Sequence, residues 1–305
     1  MDKNTLKETT HSGDSMFPIY NHNISIDHKT NMLNCHWHDE IEFILVTSGS
    51  AMFQIESSLY EVNSGEIIII GSGEIHSAYS LNSDNNCICK SLVFNSEMLS
   101  SKSSDAIQIK FINPLINNQL NLPHHLTCTN DIDIAIKVFL TELISTLNSK
   151  ENNFELMAKS YLYMIFSKVM LMVTYKDTNE LLNNSSTNKI DNFKHILDYI
   201  HLNYNKPLTI KELSSELNMS EGHFCRTFKL ITFKTPIDYL NYYRTTKAQD
   251  LLMGSNKKVL EICMDVGFNN LSYFINIFKK NTGYTPSSFK KILKINNYSN
   301  SLNNY

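Results

Sequence analysis

The chain has 305 residues, 42% of them hydrophobic, enough for two domains of about 150 residues, each with its own core. No apolar run approaches the roughly 18 residues of a membrane span, and the opening MDKNTLKETTHSGDS lacks the apolar stretch of a secretory signal, so the cytoplasm is expected, not the membrane or export. The net charge of −3 hides an asymmetry: residues 1–188 carry 11 Lys against 21 Asp and Glu, whereas residues 189–305 carry 16 Lys and Arg against 9 Asp and Glu. An acidic front half joined to a basic back half is the footprint expected of a nucleic-acid-binding domain fused to something else, although a merely solvated basic surface carries the same charge.

Residues 1–16 are polar and expected to be disordered. From 17 to 110, short apolar runs (FILVTSGSAMFQI, LYEV, EIIIIGSG, CICKSLVF) alternate with Gly, Ser, Asn and Asp, which predicts many short strands forming a barrel or a double-sheet jelly roll. The cysteines at 35, 87, 89, 128, 225 and 263 make no CxxC pair and read as reduced thiols, mostly of the core. His36, Trp37, His38 and Glu42 stand near the start of this region, and His76 follows one strand pair later. Strand alternation turns His36, His38 and, with curvature, Glu42 toward one interior. Three histidines and a carboxylate suit Zn, Fe, Mn or Ni with open positions. They suit equally an organic effector held by hydrogen bonds, or a barrel braced by histidines with no ligand, and Trp37 reads as wall or core, or as an aromatic in the mouth of a small-ligand site. The spacing resembles both cupin motifs: His36, His38, Glu42 and Gly49 fill HxHx3Ex6G, and Gly65, Gly73 and His76 fill Gx5PxGx2H. Gly71 replaces the proline of the second motif, and Ser80 stands where that motif ends in Asn. The resemblance implies a cupin-like barrel with these side chains in its cavity.

Residues 111–188 are expected to form a helical dimerisation segment and linker. Ile132, Ile136, Phe139, Leu143 and Leu147 recur at helical spacing behind Asp131 and Asp133, acidic residues suited to a helix start. The next stretch, FELMAKSYLYMIFSKVMLMVTY over 154–175, is apolar nearly all round and is expected to be buried on more than one side, either within one subunit or against a second copy.

The back half repeats itself. Leu213–Met219 aligns with Ile262–Phe268, and FCRTFKLITFKTPIDY (224–239) with FINIFKKNTGYTPSSF (274–289), placing Phe224 on Phe274, Phe228 on Phe278, Lys229 on Lys279 and Pro236 on Pro286. Each unit reads as helix, tight turn, helix: Thr209 and Ser220 are caps, and Asn218 and Gly267 take the turns, where a left-handed backbone is needed. In helix-turn-helix logic the second helix enters the major groove. The helix predicted between the units, Ile237–Gly254, spans roughly 27 Å, comparable to the roughly 34 Å between successive major grooves on one DNA face.

These segments, and above all VLEICMDVGFNNLSYFINIFKKNTGYTPSSFKK, resemble the DNA-binding domain of AraC/XylS-type transcriptional regulators over about residues 190–292. Helix geometry makes Phe224, Phe228, Phe274 and Phe278 core, packed on Leu213, Leu217, Ile262 and Val266. The resemblance puts base readout at Gly222, Cys225 and Arg226. Arg226 is the residue suited to guanine, and Lys229 lies on the same face. On the second helix the face carries Asn270, Leu271, Ser272, Tyr273, Asn276 and Lys280, with Lys279 beside it. Gly222 and Cys225 offer little hydrogen bonding, and Asn276 stands where the family often has Arg, so A·T-rich half-sites are expected; the lysines suit phosphates. Arg244 matches a position expected to hold the domain together.

The fold class expected is multidomain α and β: a cupin-like β-barrel (jelly roll) over 17–110, a helical dimerisation segment over 111–188, an all-α DNA-binding domain over 189–294 with helix-turn-helix motifs at 210–231 and 259–281, and a disordered tail over 295–305. The resemblance implies a regulator, not an enzyme, whose barrel senses a small-molecule effector. Expected partners are double-stranded DNA, the effector, a second copy of the chain, and RNA polymerase where the protein activates. No cofactor is required, although a divalent metal fits the barrel at His36, His38, Glu42 and His76. The competing reading is a metal-dependent cupin isomerase or dioxygenase with a DNA-binding tail.

Overall fold

Two antiparallel sheets built from short strands make up the front of the molecule. The strands are β1 (Ile19–Ile26), β2 (Leu33–His36), β3 (Ile41–Ser48), β4 (Ser50–Ile55), β5 (Ser58–Asn63), β6 (Ile67–Ile70), β7 (His76–Ser80) and β8 (Cys87–Phe94). One sheet has the order β1-β8-β3-β6-β10, where β10 is His125–Leu126, and the other the order β2-β7-β4-β5; β9 (Leu120–Asn121) pairs with β11 (Thr174–Tyr175). The structure is a computed structural model and describes residues 16–26, 33–81, 86–176, 185–255 and 257–291. The disorder expected up to residue 15 and over the tail 295–305 concerns residues outside those described. The chain divides into two compact units that meet in sequence at Asp191 and Asn192.

The run IEFILV in β3 is continuous because the strand is buried on both faces. Ile44 and Val46 join Ile26, Ile68, Ile70, Ala51, Phe53, Ile55, Val62 and Ala78 between the two sheets. Ile41, Phe43 and Leu45 point the other way, onto a second core shared with helices α2 (Asp131–Ser149) and α3 (Phe154–Val169). This is the period-2 alternation of a strand read by two different layers. Phe166 of α3 packs edge-on against both Phe43 and Phe94.

Residues 111–188 therefore differ from the expected helical segment. They also contain α1 (Asn113–Ile116) and β9 to β11, and β10 extends the five-stranded sheet beside β6. Two-residue strands carry no periodicity, which is why the pattern failed to mark them. The all-round apolar character of α3 resolves into two faces: Ala158, Leu162, Ile165, Phe166 and Val169 are buried in the shared core, whereas Leu156, Met157 and Met164 are exposed.

The second unit is helical: α4 (Ser185–Asn203), α5 (Ile210–Glu216), α6 (Glu221–Thr232), α7 (Pro236–Gly254), α8 (Val259–Asp265) and α9 (Leu271–Thr282). The repeat reaches down to single hydrogen bonds. Glu212 accepts from the Thr209 amide at 2.8 Å and Glu261 from the Lys258 amide at 2.9 Å, closing the first turns of α5 and α8. Asn218 (φ 52°) and Gly267 (φ 88°) both take the left-handed turn. Thr232 Oγ1 donates to the Phe228 carbonyl at 2.8 Å, as Thr282 Oγ1 does to Phe278.

Phe224, Phe228, Phe274 and Phe278 are fully buried, with Leu213, Ile262 and Val266, while Leu217 is half-buried. Arg244 is an internal brace: its Nε donates to the Tyr204 carbonyl at 2.7 Å, its Nη2 to the Lys206 carbonyl at 2.9 Å, and its guanidinium lies over the Phe268 ring.

Candidate functional site

Two sets of side chains carry chemistry, one in each unit. In the helical unit, α6 and α9 begin with matched caps: Ser220 Oγ accepts from the His223 amide, and Asn270 Oδ1 from the Tyr273 amide at 2.9 Å. Burial of Phe224 and Phe228 on one helix, and of Phe274 and Phe278 on the other, rotates equivalent faces outward. Gly222, Arg226 and Lys229 are exposed on α6 and Cys225 is half-buried; on α9, Ser272, Tyr273, Asn276, Lys279 and Lys280 are exposed and Leu271 is half-buried. A Cβ built on Gly222 would lie 3.9 Å from Arg226 Nη1, so the guanidinium folds back over the first turn within ordinary contact distance of that position.

Three of the expected positions also have duties inside the domain, and one further residue shares their exposed face. Asn270 spends its side-chain oxygen on the cap, and the Tyr273 hydroxyl accepts from Asn241 Nδ2 at 2.8 Å. Leu271 packs partly on the domain core. His223 is exposed on the first turn of α6, at the position that Tyr273 occupies on α9. The repeat itself holds that signal, since His223 aligns with Tyr273 at the fifty-residue offset.

In the β unit, His36 ends β2, His38 follows it, Glu42 sits in β3 and His76 opens β7. His36 and His76 are cross-strand partners, with ring centroids 4.0 Å apart, and Glu42 reaches in from the other sheet. Each histidine turns Nδ1 to a main-chain carbonyl: His36 to Asn34 (2.7 Å), His38 to Glu40 (3.0 Å) and His76 to Glu74 (2.9 Å). The other edges of His38 and His76 face Glu42. Its Oε2 lies 3.2 Å from His38 Nε2 and 3.3 Å from His76 Nε2, and its Oε1 accepts from the buried Ser91 hydroxyl. His76 Nε2 is buried and, despite that proximity, lacks the alignment of a hydrogen bond.

All four residues offer ligand atoms within 4.8 Å of one another, so the sequence-predicted cluster is brought together in full. Trp37, its neighbour in sequence, is half-buried. Burial alone would raise the Glu42 pKa, but the close approach of the His38 and His76 imidazoles holds it well below the usual carboxylate range. Burial also opposes the His38 imidazolium, but Glu42 and Glu40 outweigh it and hold the His38 pKa above its ordinary value. His76 is pressed down to about 4 by burial and by the neighbouring His36. Glu42 is thus an anion at neutral pH beside a neutral His76. At the second cupin-like motif, the Gly71 amide donates to Glu74 Oε2 at 2.6 Å, and a Cβ there would meet the Glu74 carboxyl at 3.0 Å. A proline would supply no such donor.

Paired helix-turn-helix units behind a two-sheet domain with an inward-facing polar cluster define a DNA-binding protein with a ligand-binding domain. Residues 213–292 match the model of a helix-turn-helix domain, and residues 25–166 that of an AraC-like ligand binding domain. An uncharacterized HTH-type transcriptional regulator of Bacillus subtilis, YdeC, is 30% identical, over 96% of this chain and 98% of its own. An uncharacterized HTH-type transcriptional regulator of Escherichia coli, YdiP, is 26% identical over 85% and 81%. Among solved structures, ToxT of Vibrio cholerae aligns with 90% of this chain and 98% of its own at 17% identity, with a TM-score of 0.42. The chain belongs to the AraC family of transcriptional regulators, with a ligand-binding domain and a DNA-binding helix-turn-helix domain. Among the described residues, no helix is long and apolar enough to cross a membrane.

Proposed function

We propose that this regulator reads an operator through α6 and α9 in two adjacent major-groove segments, and that the cluster of His36, His38, Glu42 and His76 is where its small-molecule signal is received. The observation that carries the DNA reading is the matched exposure of the two helices. Arg226 is the guanine reader and Asn276 the adenine reader, with Gly222, His223, Cys225, Leu271 and Ser272 completing the two faces. Lys229, Lys279 and Lys280 meet phosphates and set register. Asn270 and Tyr273 hold the second helix in place beside the bases. With one arginine among the readers, the half-sites are A·T-rich.

The protein acts as a homodimer. Ile134 and Val138 of α2, and Leu156, Met157 and Met164 of α3, are large apolar side chains left exposed, and an apolar surface of this kind favours a second copy. A signal switches such a dimer only by binding its two arrangements unequally. The β unit is a sensor rather than an enzyme. Turnover of a small sugar or catechol at the cluster would overturn that assignment.

The test is to incubate the full chain with sheared genomic DNA of its source at about 150 mM salt, near physiological ionic strength, and sequence what it retains. A few sharply enriched sites containing two A·T-rich half-motifs are expected. Enrichment without a shared motif, in the presence and absence of added metal and small molecules, would overturn sequence-specific reading.

A further inference from the structure

We propose that Cys87 and Cys89 of β8 are a peroxide-reactive thiol pair that closes to a reversible disulfide inside the β unit, and that this oxidation changes the affinity of the regulator for its operator. The second clause rests on the reading of the protein as an operator-binding regulator whose signal is received in the β unit; the first does not.

The geometry carries the pair. Residues i and i+2 of a strand share a face but stand about 6.8 Å apart along it. The two sulfurs are nevertheless 3.6 Å apart, within hydrogen-bonding distance of one another, so the side chains lean together along the strand. A disulfide needs α-carbons no more than about 6.8 Å apart, so closing this one asks the strand to shorten slightly. The ladder beside the pair has slack for that. Val46 of β3 pairs with Cys89 but Ser48 with Ile88, so the register shifts between the two cysteines. Such an irregularity interrupts the ladder, and β8 is less constrained there than along a regular stretch.

Both sulfurs lie in the apolar interior between the sheets, where Cys87 pairs with Ile26 and Cys89 with Val46. Burial shields them from large reagents, but the pair stands at a strand end. Cys87 is the first residue of β8, and Asn86 before it and Ile88 after it are exposed. The turn at Gly49 rests on this end, where an added Cβ would lie 3.0 Å from the Asn86 carbonyl oxygen and 3.1 Å from the Cys87 Cα. Fraying of one strand end admits hydrogen peroxide, a molecule hardly larger than water, without unfolding the unit.

The chemistry balances within the pair. With Cys89 as donor, the shared hydrogen bond lowers the Cys87 thiol from its ordinary pKa, which makes Cys87 the nucleophile. Its thiolate attacks one peroxide oxygen, the O–O bond breaks, and the departing hydroxide takes up a proton, leaving Cys87 as a sulfenic acid. The Cys89 sulfur, already in contact, displaces the sulfenic hydroxyl, which leaves as water with the Cys89 proton. Two thiols and one hydrogen peroxide thus give one disulfide and two waters, with two electrons passing from sulfur to oxygen. A disulfide closed within one strand is strained, and strained disulfides are the readily reduced ones, so thiols reverse the change. Its effect reaches the polar cluster along the same strand: Ser91, two residues beyond Cys89, donates to Glu42, and shortening β8 at the pair shifts that bond.

The experiment exposes the reduced full chain, freed of reductant, to hydrogen peroxide, alkylates the remaining thiols after denaturation and maps all six cysteines by peptide mass. The expected product is a peptide holding Cys87 and Cys89, unalkylated and lighter by two hydrogens, at doses that leave Cys35, Cys128, Cys225 and Cys263 alkylated. Dithiothreitol should restore both thiols. Cys89→Ser should stop at a Cys87 sulfenic acid, trapped by dimedone, and Cys87→Ser should leave Cys89 free. Both thiols still alkylated when Cys225 is already oxidised, or a disulfide joining either of them to a different cysteine, overturns the pair. Should a variant fail to fold, the wild-type map still decides.

Reduced, oxidised and re-reduced protein are then titrated on the enriched operator and on random DNA. A change of about tenfold or more in operator affinity on oxidation, reversed by dithiothreitol and absent in Cys87→Ser, is expected. A mapped disulfide with unchanged operator affinity removes the regulatory clause while the thiol pair stands. Reduced protein without preference between operator and random DNA would instead overturn sequence-specific reading, and the peptide map alone then decides the pair.

Discussion

Asn241 of α7 donates from Nδ2 to the hydroxyl of Tyr273 on α9, 2.8 Å away, so the second recognition helix is tied to the connecting helix at its first turn. Asn241 is buried, and Tyr273 is about half exposed. Tyr273 therefore faces both solvent and the domain interior, and the bond assigns its hydroxyl to the interior. Tyr273→Phe leaves a buried amide short of a partner and should cost about 1–3 kcal/mol of stability in the helical unit. Operator and random DNA should lose affinity equally, as measured by fluorescence anisotropy on both. Relaxed preference at a single base pair would instead make Tyr273 a reader.

The roles proposed for Arg226 and Lys279 separate reading from positioning. Both are exposed on the faces of α6 and α9, but a guanidinium pairs in a fixed fork with a guanine edge whereas an ammonium is a point charge. Arg226→Ala should weaken operator binding by about 1–3 kcal/mol and relax preference at one position, with little effect on random DNA. Lys279→Ala should weaken both about equally and flatten the salt dependence by about one unit. Competition titrations over a range of salt concentrations check both, and equal losses for Arg226→Ala would remove it from the readers.

What the sequence disclosed follows from how local each signal was. The helix-turn-helix pair was legible in detail because capping, turn and core positions recur at a fixed offset, so each half vouches for the other; Asn218 and Gly267 illustrate this at one backbone angle. The His36, His38, Glu42 and His76 set was legible from spacing, since strand alternation fixes the facing of nearby residues and a cross-strand pair supplies the last one. Bonds between residues distant in sequence were not legible. Nothing local announces that Tyr273 meets Asn241 or that Ser91 holds Glu42, 49 residues away in sequence. The role of α2 and α3 was half legible: their apolar faces were visible, but not that one face completes the core of the sheet, so excising residues 131–175 would expose Phe43 and Phe94.

The two turns should respond oppositely to substitution. A Cβ at Gly267 would stand 2.8 Å from the Tyr204 carbonyl oxygen and from the Asn205 Cα, in addition to the strain of φ +88°. Gly267→Ala should therefore destabilise the helical unit by at least about 2 kcal/mol. Asn218→Gly places the most permissive residue at an exposed left-handed position and should stay within about 0.5 kcal/mol of wild type. Urea unfolding followed by circular dichroism measures both. Trp37 lies in the other unit and does not report on this transition.

His201 gives the helical unit an acid-sensitive core. Its ring is buried, stacks on Tyr243 at 3.7 Å between centroids and places Nε2 3.0 Å from the Tyr239 hydroxyl. Burial, with Lys247 adding to it, pushes its pKa from 6.5 down to about 3. Between those values the unfolded chain binds a proton that the folded one refuses, so stability rises with pH across this window and falls as the solution is acidified. The loss is about 1.4 kcal/mol per pH unit below 6.5, or about 2 kcal/mol at pH 5, and it ends near the folded pKa. His201→Gln removes the titrating ring. Its stability at neutral pH should be lower through lost stacking, but its decline from pH 7 to pH 5 should be shallower than wild type by that same margin. Hydrogen exchange of the α7 amides at both pH values reads the difference within the helical unit alone, and parallel pH profiles for the two proteins would show that folding leaves the His201 pKa unshifted.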